Sequence, residues 1–502
     1  MQPILTAEQM RAADRAAMER YGLPSLVLME NAARSAAAII RQRYPDAYHI
    51  TILCGSGNNG GDGFALARHL MSECRPQLVV CGNRQRMSSE TATNALVCQL
   101  LGIPMAEWGH DADAEQYLHH ADVIVDALLG VGASGAPREP MASLIRMANE
   151  SSAAKIALDL PSGLDADTGQ AFDPCFRADC TITMGALKTG LFLADAPEVV
   201  GDIEVAQLGI PSTVVASQTM AWLIGDDDFH RVYRPRKKRS TKFDYGRVLV
   251  VAGSEAMPGA AALCANAAVA AGAGLVELFT PCVHSALFPE VMPHRYHRPT
   301  LDRDALPQIA ERLLRASVVV LGPGLGAAPE TTALIDELLR EFVGSRAMVL
   351  DADALRAVDP TTPLPGVTLT PHRGEFARLL GLPSDQLAHS AWKQAIALSQ
   401  RAGATIVLKD FPVQISDGRQ TYWMTQYNPA LASGGTGDVL SGIIAALWAQ
   451  GYPQLDAAWM GVVLHSTAGA IAAARHGELS TRASHVIDAL GVATGRILSN
   501  MQ

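Results

Sequence analysis

None of the eight cysteines in this chain of 502 residues belongs to a C-x-x-C pair, and no histidine cluster has zinc-ligand spacing. Neither a structural zinc site nor a disulfide framework is expected. Cys54, Cys81 and Cys98 sit in apolar runs, where a free thiol behaves as a small hydrophobe. A reducing, cytoplasmic compartment is the natural expectation. No apolar run reaches membrane-spanning length with clean flanks, so no membrane association is expected. Residues 260–278, rich in Ala and Gly, read instead as a buried helix and strand. The first residues lack a basic segment followed by an apolar core, so no signal peptide is expected. A Walker-type G-x-x-x-x-G-K-[ST] is absent, which disfavours a P-loop kinase. Positive charge is short as well: 40 Lys and Arg face 50 Asp and Glu, for a net charge of −10. That argues against nucleic-acid binding as the main activity. The one basic cluster, residues 231–239, reads as a solvated linker.

What is present is an apolar fraction of 49%, in a chain too long for one ordinary core. A Thr6-x-x-Gln9 capping box opens a helix over 6–19, and 24–43 continues in helical periodicity. Strands are expected at 49–54, 76–81, 123–126 and 155–159, with a glycine loop over 55–63 and helices over 64–71 and 91–101. Strands alternating with helices imply a parallel sheet covered on both faces, a Rossmann-like three-layer α/β domain. Ligands of such sheets bind at the carboxyl ends of strands. A second alternating series has strands near 246–254, 275–279, 318–321, 348–351 and 405–409, then a hairpin about Asp417-Gly418. The division falls near residue 220, giving domains of 1–218 and 225–502.

The most informative run is Gly434-Gly435-Thr436-Gly437-Asp438, followed at once by an apolar helical stretch. Unsatisfied amides at such a turn attract an anion, and glycines let the backbone approach a phosphate closely. An aspartate there would repel phosphate unless it takes a proton from an attacking hydroxyl. Capping its own helix is the bland alternative. Upstream lie a second glycine loop, 322–326, and the pair Asp351 and Asp353, which reads as a site for phosphate-associated magnesium, with capping an equal reading of Asp353. Thr370-Pro371-His372-Arg373-Gly374-Glu375 places His, Arg and Glu on a rigid turn.

In the first half, Asn58-Asn59-Gly60-Gly61-Asp62-Gly63 follows a strand and reads as a phosphate or ribose cradle, with Asn carbonyls suited to a hard cation. Asp126 and Asp159 end neighbouring strands, and Pro161 would fix the turn after Asp159. Together, beside a glycine loop, the two carboxylates favour a site over turn capping.

Through Asn428–Asp438, Val251–Ser254, Met257–Ala260 and the motifs just named, residues 225–502 resemble the ribokinase-like superfamily. Within it they are similar to the ADP-dependent NAD(P)H-hydrate dehydratases. Through Asn58–Gly63, Asp126–Gly132 and Ala157–Asp165, residues 1–218 resemble the NAD(P)H-hydrate epimerases. The resemblance implies a bifunctional enzyme acting on NADHX and NADPHX, nicotinamide nucleotides hydrated at C6. One half would interconvert the R and S hydrates. The other would phosphorylate the S hydroxyl from ADP, with Mg2+, so that phosphate leaves and NAD(P)H returns with AMP. By the same resemblance Asp438 would be the catalytic base, Ala260, Leu325, His372 and Asp438 would line the hydrate site, and Lys409, Asp410, Phe411, Pro412, Val413 and Gly437 would lie at the nucleotide. Relatives usually carry Lys-Gly and small residues where this chain has 409–413, and His-Lys-Gly where it has Thr241-Lys242-Phe243. In the first half Asn59, Asp126 and Ser162 would hold K+. Asn58, Asn59, Gly60, Gly61 and Asp62, with Gly130, Val131, Gly132, Ala133, Ser134, Gly135 and Ala136, would hold the dinucleotide, and Asp159 would contact the ring with acid/base duty. Assembly into a homo-oligomer would be natural. The rival reading is a ribokinase-like vitamin or sugar kinase fused to a non-catalytic α/β binding module.

Overall fold

The computed structural model describes every residue except Met220, 384–386, 388–389, Tyr427 and 500–502, so the last three positions of the expected 225–502 domain lie outside the described residues. The chain forms two compact units, Gln2–Ala221 and Trp222–Gln502.

The first unit is built on a seven-stranded sheet. Its spatial order is Met105–Glu107, Arg75–Val80, His49–Cys54, Val123–Ala127, Ala154–Leu158, Cys180–Met184 and Asp202–Ala206, every pair parallel. The chain builds outward from His49–Cys54 in one direction, then crosses over and builds outward from Val123–Ala127 in the other. The carboxyl ends of these two strands are therefore the switch point of an open α/β sheet, where a ligand crevice opens. The expected capping box is present: the Gln9 amide donates to Thr6 Oγ1 (3.2 Å) and the Thr6 amide to Gln9 Oε1 (2.9 Å), starting the helix Ala7–Tyr21.

The glycine segment after His49–Cys54 departs from expectation. It is not a loop; the helix begins six residues early and runs Asn58–Leu70. The reason is close packing. A Cβ on Gly60 would stand 1.9 Å from the Gly55 carbonyl oxygen, and one on Gly63 would stand 2.7 Å from Ala127 Cβ. These glycines seat the first helical turns against the strand ends.

In the second unit the strands lie in the order Val291–Arg295, Leu275–Thr280, Arg247–Val251, Val318–Leu321, Ala347–Leu350, Val367–Leu369, Thr405–Leu408, Val413–Ser416 and Thr421–Met424. Pairing is parallel as far as Thr405–Leu408 and antiparallel through the expected hairpin. Alternate residues feed two cores. Val248 and Val250 pack with the helices Pro258–Ala270, Thr436–Ala449 and Gln454–His476, whereas Leu249 and Val251 pack with Leu306–Leu313, Pro329–Phe342 and Ala391–Ala402. That is the period of two expected of a strand buried on both faces.

Two sequence expectations change here. Gln454–His476, with 23 residues, is long and apolar enough to cross a membrane, but 78% of its apolar window is buried inside the unit. The basic run is no free linker. The Arg234 amide donates to Tyr452 Oη (2.9 Å), the Arg236 guanidinium lies 4.0 Å over the Tyr245 ring, and its Nη2 donates to the Gly272 carbonyl (2.6 Å). Cation–π contact and hydrogen bonds strap this exposed segment to the second unit.

Candidate functional site

In the second unit the glycine turn leads into the helix Thr436–Ala449, with Gly435 at its N-cap in the left-handed region (φ 93°). The Thr436 hydroxyl lies 2.7 Å from the Leu431 carbonyl and 2.9 Å from that of Ser433, which pins the turn. The first-turn amides lack intrahelical acceptors and point out of the helix end. Asp438 stands in this turn. Burial, then the neighbouring Asp351 carboxylate, push its carboxyl up to about 7 against the pull of Lys409, with smaller contributions from Asp353 and Glu375. A carboxylate so placed is matched to proton abstraction near neutrality.

Lys409, at the end of Thr405–Leu408, supplies the cation. Its Nζ is 2.7 Å from Asp351 Oδ1, and a Cβ on Gly437 would lie 3.0 Å from the same nitrogen. Burial alone would lower the Lys409 pKa, but Asp351, Glu375 and Asp438 together outweigh it and raise it. Lys409 and Gly437, the two expected nucleotide contacts furthest apart in sequence, are thus brought together.

The structure redistributes the other expected residues. Asp351 is 1% exposed and both its oxygens are engaged, Oδ1 by Lys409 and Oδ2 by the Ser441 hydroxyl (2.8 Å). Asp353 accepts the Gly326 amide on Oδ2 (2.8 Å) and faces Arg356 Nε on Oδ1 (3.4 Å). Asp351 therefore braces Lys409, and Asp353 braces the 322–326 loop. Among the described residues no group of three His, Cys, Asp or Glu could hold a metal ion. Asp410 forms a bidentate pair with Arg373 (2.7 and 3.0 Å), and Val413 opens the hairpin strand. Phe411 and Pro412 follow between them, Phe411 half-buried and Pro412 buried.

Leu325 is 1% exposed in the core, leaving only its backbone for a ligand. Ala260 is half-buried, and its Cβ would lie 2.9 Å from one built on Gly324. His372 is exposed; its Nδ1 caps the helix Arg373–Leu380, accepting the Gly374 amide (3.0 Å), and its backbone bridges Lys409.

In the first unit, a cavity of about 600 Å³ opens at the switch point and is lined by Asn58, Asn59, Asp62, Gly130, Val131, Gly132, Ala133 and Asp159. Of the other expected binding residues, Gly60 and Gly61 are buried in packing, and Ser134, Gly135 and Ala136 are exposed and do not line it. The three expected K+ residues share one network. Asn59 Nδ2 donates to the carbonyls of Leu129 (2.8 Å) and Leu158 (3.1 Å), the Leu129 amide donates to Ser162 Oγ (3.0 Å), and Ser162 Oγ donates to Asp126 Oδ1 (2.7 Å). Asn59 Oδ1 is buried without a hydrogen-bond partner among the described residues. Asp126 is fully buried, no cation among the described residues is paired with it, and burial pushes it up to about 6 despite hydrogen bonds from Ser162 and Leu128. An orphaned carbonyl oxygen, linked through Leu129 and Ser162 to a buried carboxylate, is a donor set a monovalent cation fits.

Asp159, at φ 66°, sits immediately past its strand. Its Oδ1 meets Lys188 Nζ at 2.6 Å, and its Oδ2 accepts the Val131 amide at 3.1 Å, fixing the start of the 130–136 loop. Lys188 is a site residue that the sequence reading did not single out. It is fully buried and also donates to the Met184 carbonyl (2.7 Å) and Thr183 Oγ1 (2.9 Å). A lone lysine in the apolar stretch after Cys180–Met184 was the available signal, since buried lysines are rare unless paired. Asp14 was missed too, although Met10, Asp14 and Met18 form an i, i+4, i+8 stripe that lines the cavity.

Residues 248–491 match the family described as NAD(P)H-hydrate dehydratase, and residues 25–190 match the YjeF-related protein N-terminus. Curated relatives agree along the whole chain. Bifunctional NAD(P)H-hydrate repair enzymes of Pyrobaculum aerophilum and Moorella thermoacetica are each 37% identical, over 97% of this chain and 97% and 96% of their own. That of Escherichia coli is 35% identical over 96% of this chain and 92% of its own. Among solved structures, an ADP/ATP-dependent NAD(P)H-hydrate dehydratase from Bacillus subtilis, co-crystallised with ATP and Mg2+, is 27% identical over 54% of this chain and 97% of that one, with a TM-score of 0.47. The chain belongs to the family of bifunctional NAD(P)H-hydrate repair enzymes.

Proposed function

We infer that the second unit dehydrates the S hydrate of NADH and NADPH at the expense of ADP, releasing AMP and phosphate, while the first interconverts the R and S hydrates. The observation that carries the dehydratase reading is the Asp438 carboxyl, raised to about 7, in the first turn of the helix that begins at the glycine turn. Asp438 takes the proton of the C6 hydroxyl as its oxygen attacks the terminal phosphorus. The phosphoanhydride bond breaks and AMP departs. Amides of the Gly437 turn and the Lys409 ammonium hold the phosphate oxygens through the transfer. The phosphate then leaves C6, drawn out by the ring-nitrogen lone pair, and loss of a proton from C5 restores the double bond. Phosphorylation here makes a leaving group, not a product.

Magnesium suits a site whose own carboxylates are engaged, because it binds chiefly through phosphates and retained waters; bound, it neutralises phosphate charge. Potassium would be held by Asn59, Asp126 and Ser162, where its charge would compensate Asp126 and steady the Asp126–Ser162 turn. The test uses the pure S hydrate with ADP or ATP. Stoichiometric AMP, phosphate and NADH from ADP support the reading. A stable phosphorylated nucleotide, or no reaction, would favour the rival small-molecule kinase.

A further inference from the structure

The first unit's cavity gathers Asp14, Asp62, Asp159, Lys188 and Arg11. Their bonding separates their roles. Asp159 spends Oδ1 on Lys188 and the Met184 amide and Oδ2 on the Val131 amide. Lys188 spends its protons on Asp159, Thr183 and Met184. Burial, with repulsion from Asp159 and Asp14, raises the Asp62 carboxyl well above the ordinary range. Asp14 offers the cavity an unengaged oxygen: it projects from the helix Ala7–Tyr21 and lines the cavity between Met10 and Met18, and its Oδ1 is buried with no hydrogen-bond partner among the described residues.

Resting on the epimerase reading of this unit, we propose that Asp14 is the proton donor to the departing C6 oxygen in R/S exchange. The nitrogen lone pair closes a C6=N1 double bond as the C6–O bond breaks, and the oxygen leaves with the Asp14 proton as water. Water then adds to the other face of C6. The C6=N1 pair returns to nitrogen, and one proton of the added water passes through cavity water to the Asp14 carboxylate. Asp159, locked to Lys188, is the negative charge that stabilises the cationic ring. The environment of Asp14 suits a donor: burial raises it, Lys188 pulls it down and Asp159 adds a smaller rise, which together bring it up to about 6.

The test follows R/S exchange of NADHX by the full chain without ADP. The wild-type rate should fall as pH rises through about 6, because the donor must be protonated. Asp14→Asn should lose at least about 100-fold in kcat and abolish that limb, with KM within about threefold. Asp14→Glu should recover part of the rate and the limb. Exchange by Asp14→Asn within threefold of wild type, or a retained limb, overturns the proposal. So does an Asp14→Glu variant as inactive as Asp14→Asn with a raised KM, which marks a structural role. Failure of the wild type itself to exchange the isomers would instead sink the epimerase reading, and this proposal with it.

Discussion

Replacing Asp438 with Asn should make the protein more stable while disabling it. The carboxyl is moved from its ordinary 3.8 to about 7, which corresponds to about 4 kcal/mol against the ionised form. Because the folded pKa is the higher one, the folded state binds this proton more tightly than the unfolded chain does. Its stabilising contribution is whole below pH 3.8 and is lost as pH climbs to about 7. Asn cannot ionise and escapes that loss. Asp438→Asn should therefore gain up to about 4 kcal/mol at pH 8 and almost nothing at pH 4. Urea unfolding followed by tryptophan fluorescence reads the right unit, since of the six tryptophans only Trp108 lies outside Trp222–Gln502. In parallel, wild-type dehydration should rise with pH through about 7, and the variant should lose roughly 10²–10⁴-fold in kcat. Equal urea midpoints at pH 8 would refute the raised pKa. Full activity in the variant would refute the base.

Two further substitutions probe the supports of each site. Lys409→Met leaves Asp351 buried with only Ser441, so it should cost about 3–5 kcal/mol in unfolding and raise the nucleotide KM at least about tenfold, with the hydrate KM little changed. Gly60→Ala drives a Cβ into the Gly55 carbonyl and should cost the first unit about 1–3 kcal/mol, slowing isomer exchange while dehydration of the pure S hydrate proceeds unchanged.

Apolar runs and turn residues made most strands readable, because a strand buried on both faces is written as a continuous Val, Ile and Leu segment. The Thr6 cap and the Asp417-Gly418 turn were readable for the same local reason: their chemistry lies within four residues. The start of Asn58–Leu70 was not, since Asn-Asn-Gly-Gly reads as loop until the close approach to Gly55 is known. The chemical groups of both sites could be named from motifs, but their partners could not. Lys188 lies 29 residues beyond Asp159, and Lys409 lies 58 beyond Asp351. Only sheet order brings these pairs together. The departure at Asp410 is explained likewise by Arg373, whose partner no local pattern announces.

One chain holding two separate catalytic sites in series should carry a mixed substrate to completion. Supply the full chain with an equal mixture of R and S NADHX, ADP, Mg2+ and K+, and follow NADH absorbance to its end point. Complete conversion is expected of the wild type, and none of Asp438→Asn, which should still exchange the isomers. A wild-type end point halted at the S fraction, or loss of exchange in Asp438→Asn, would contradict it.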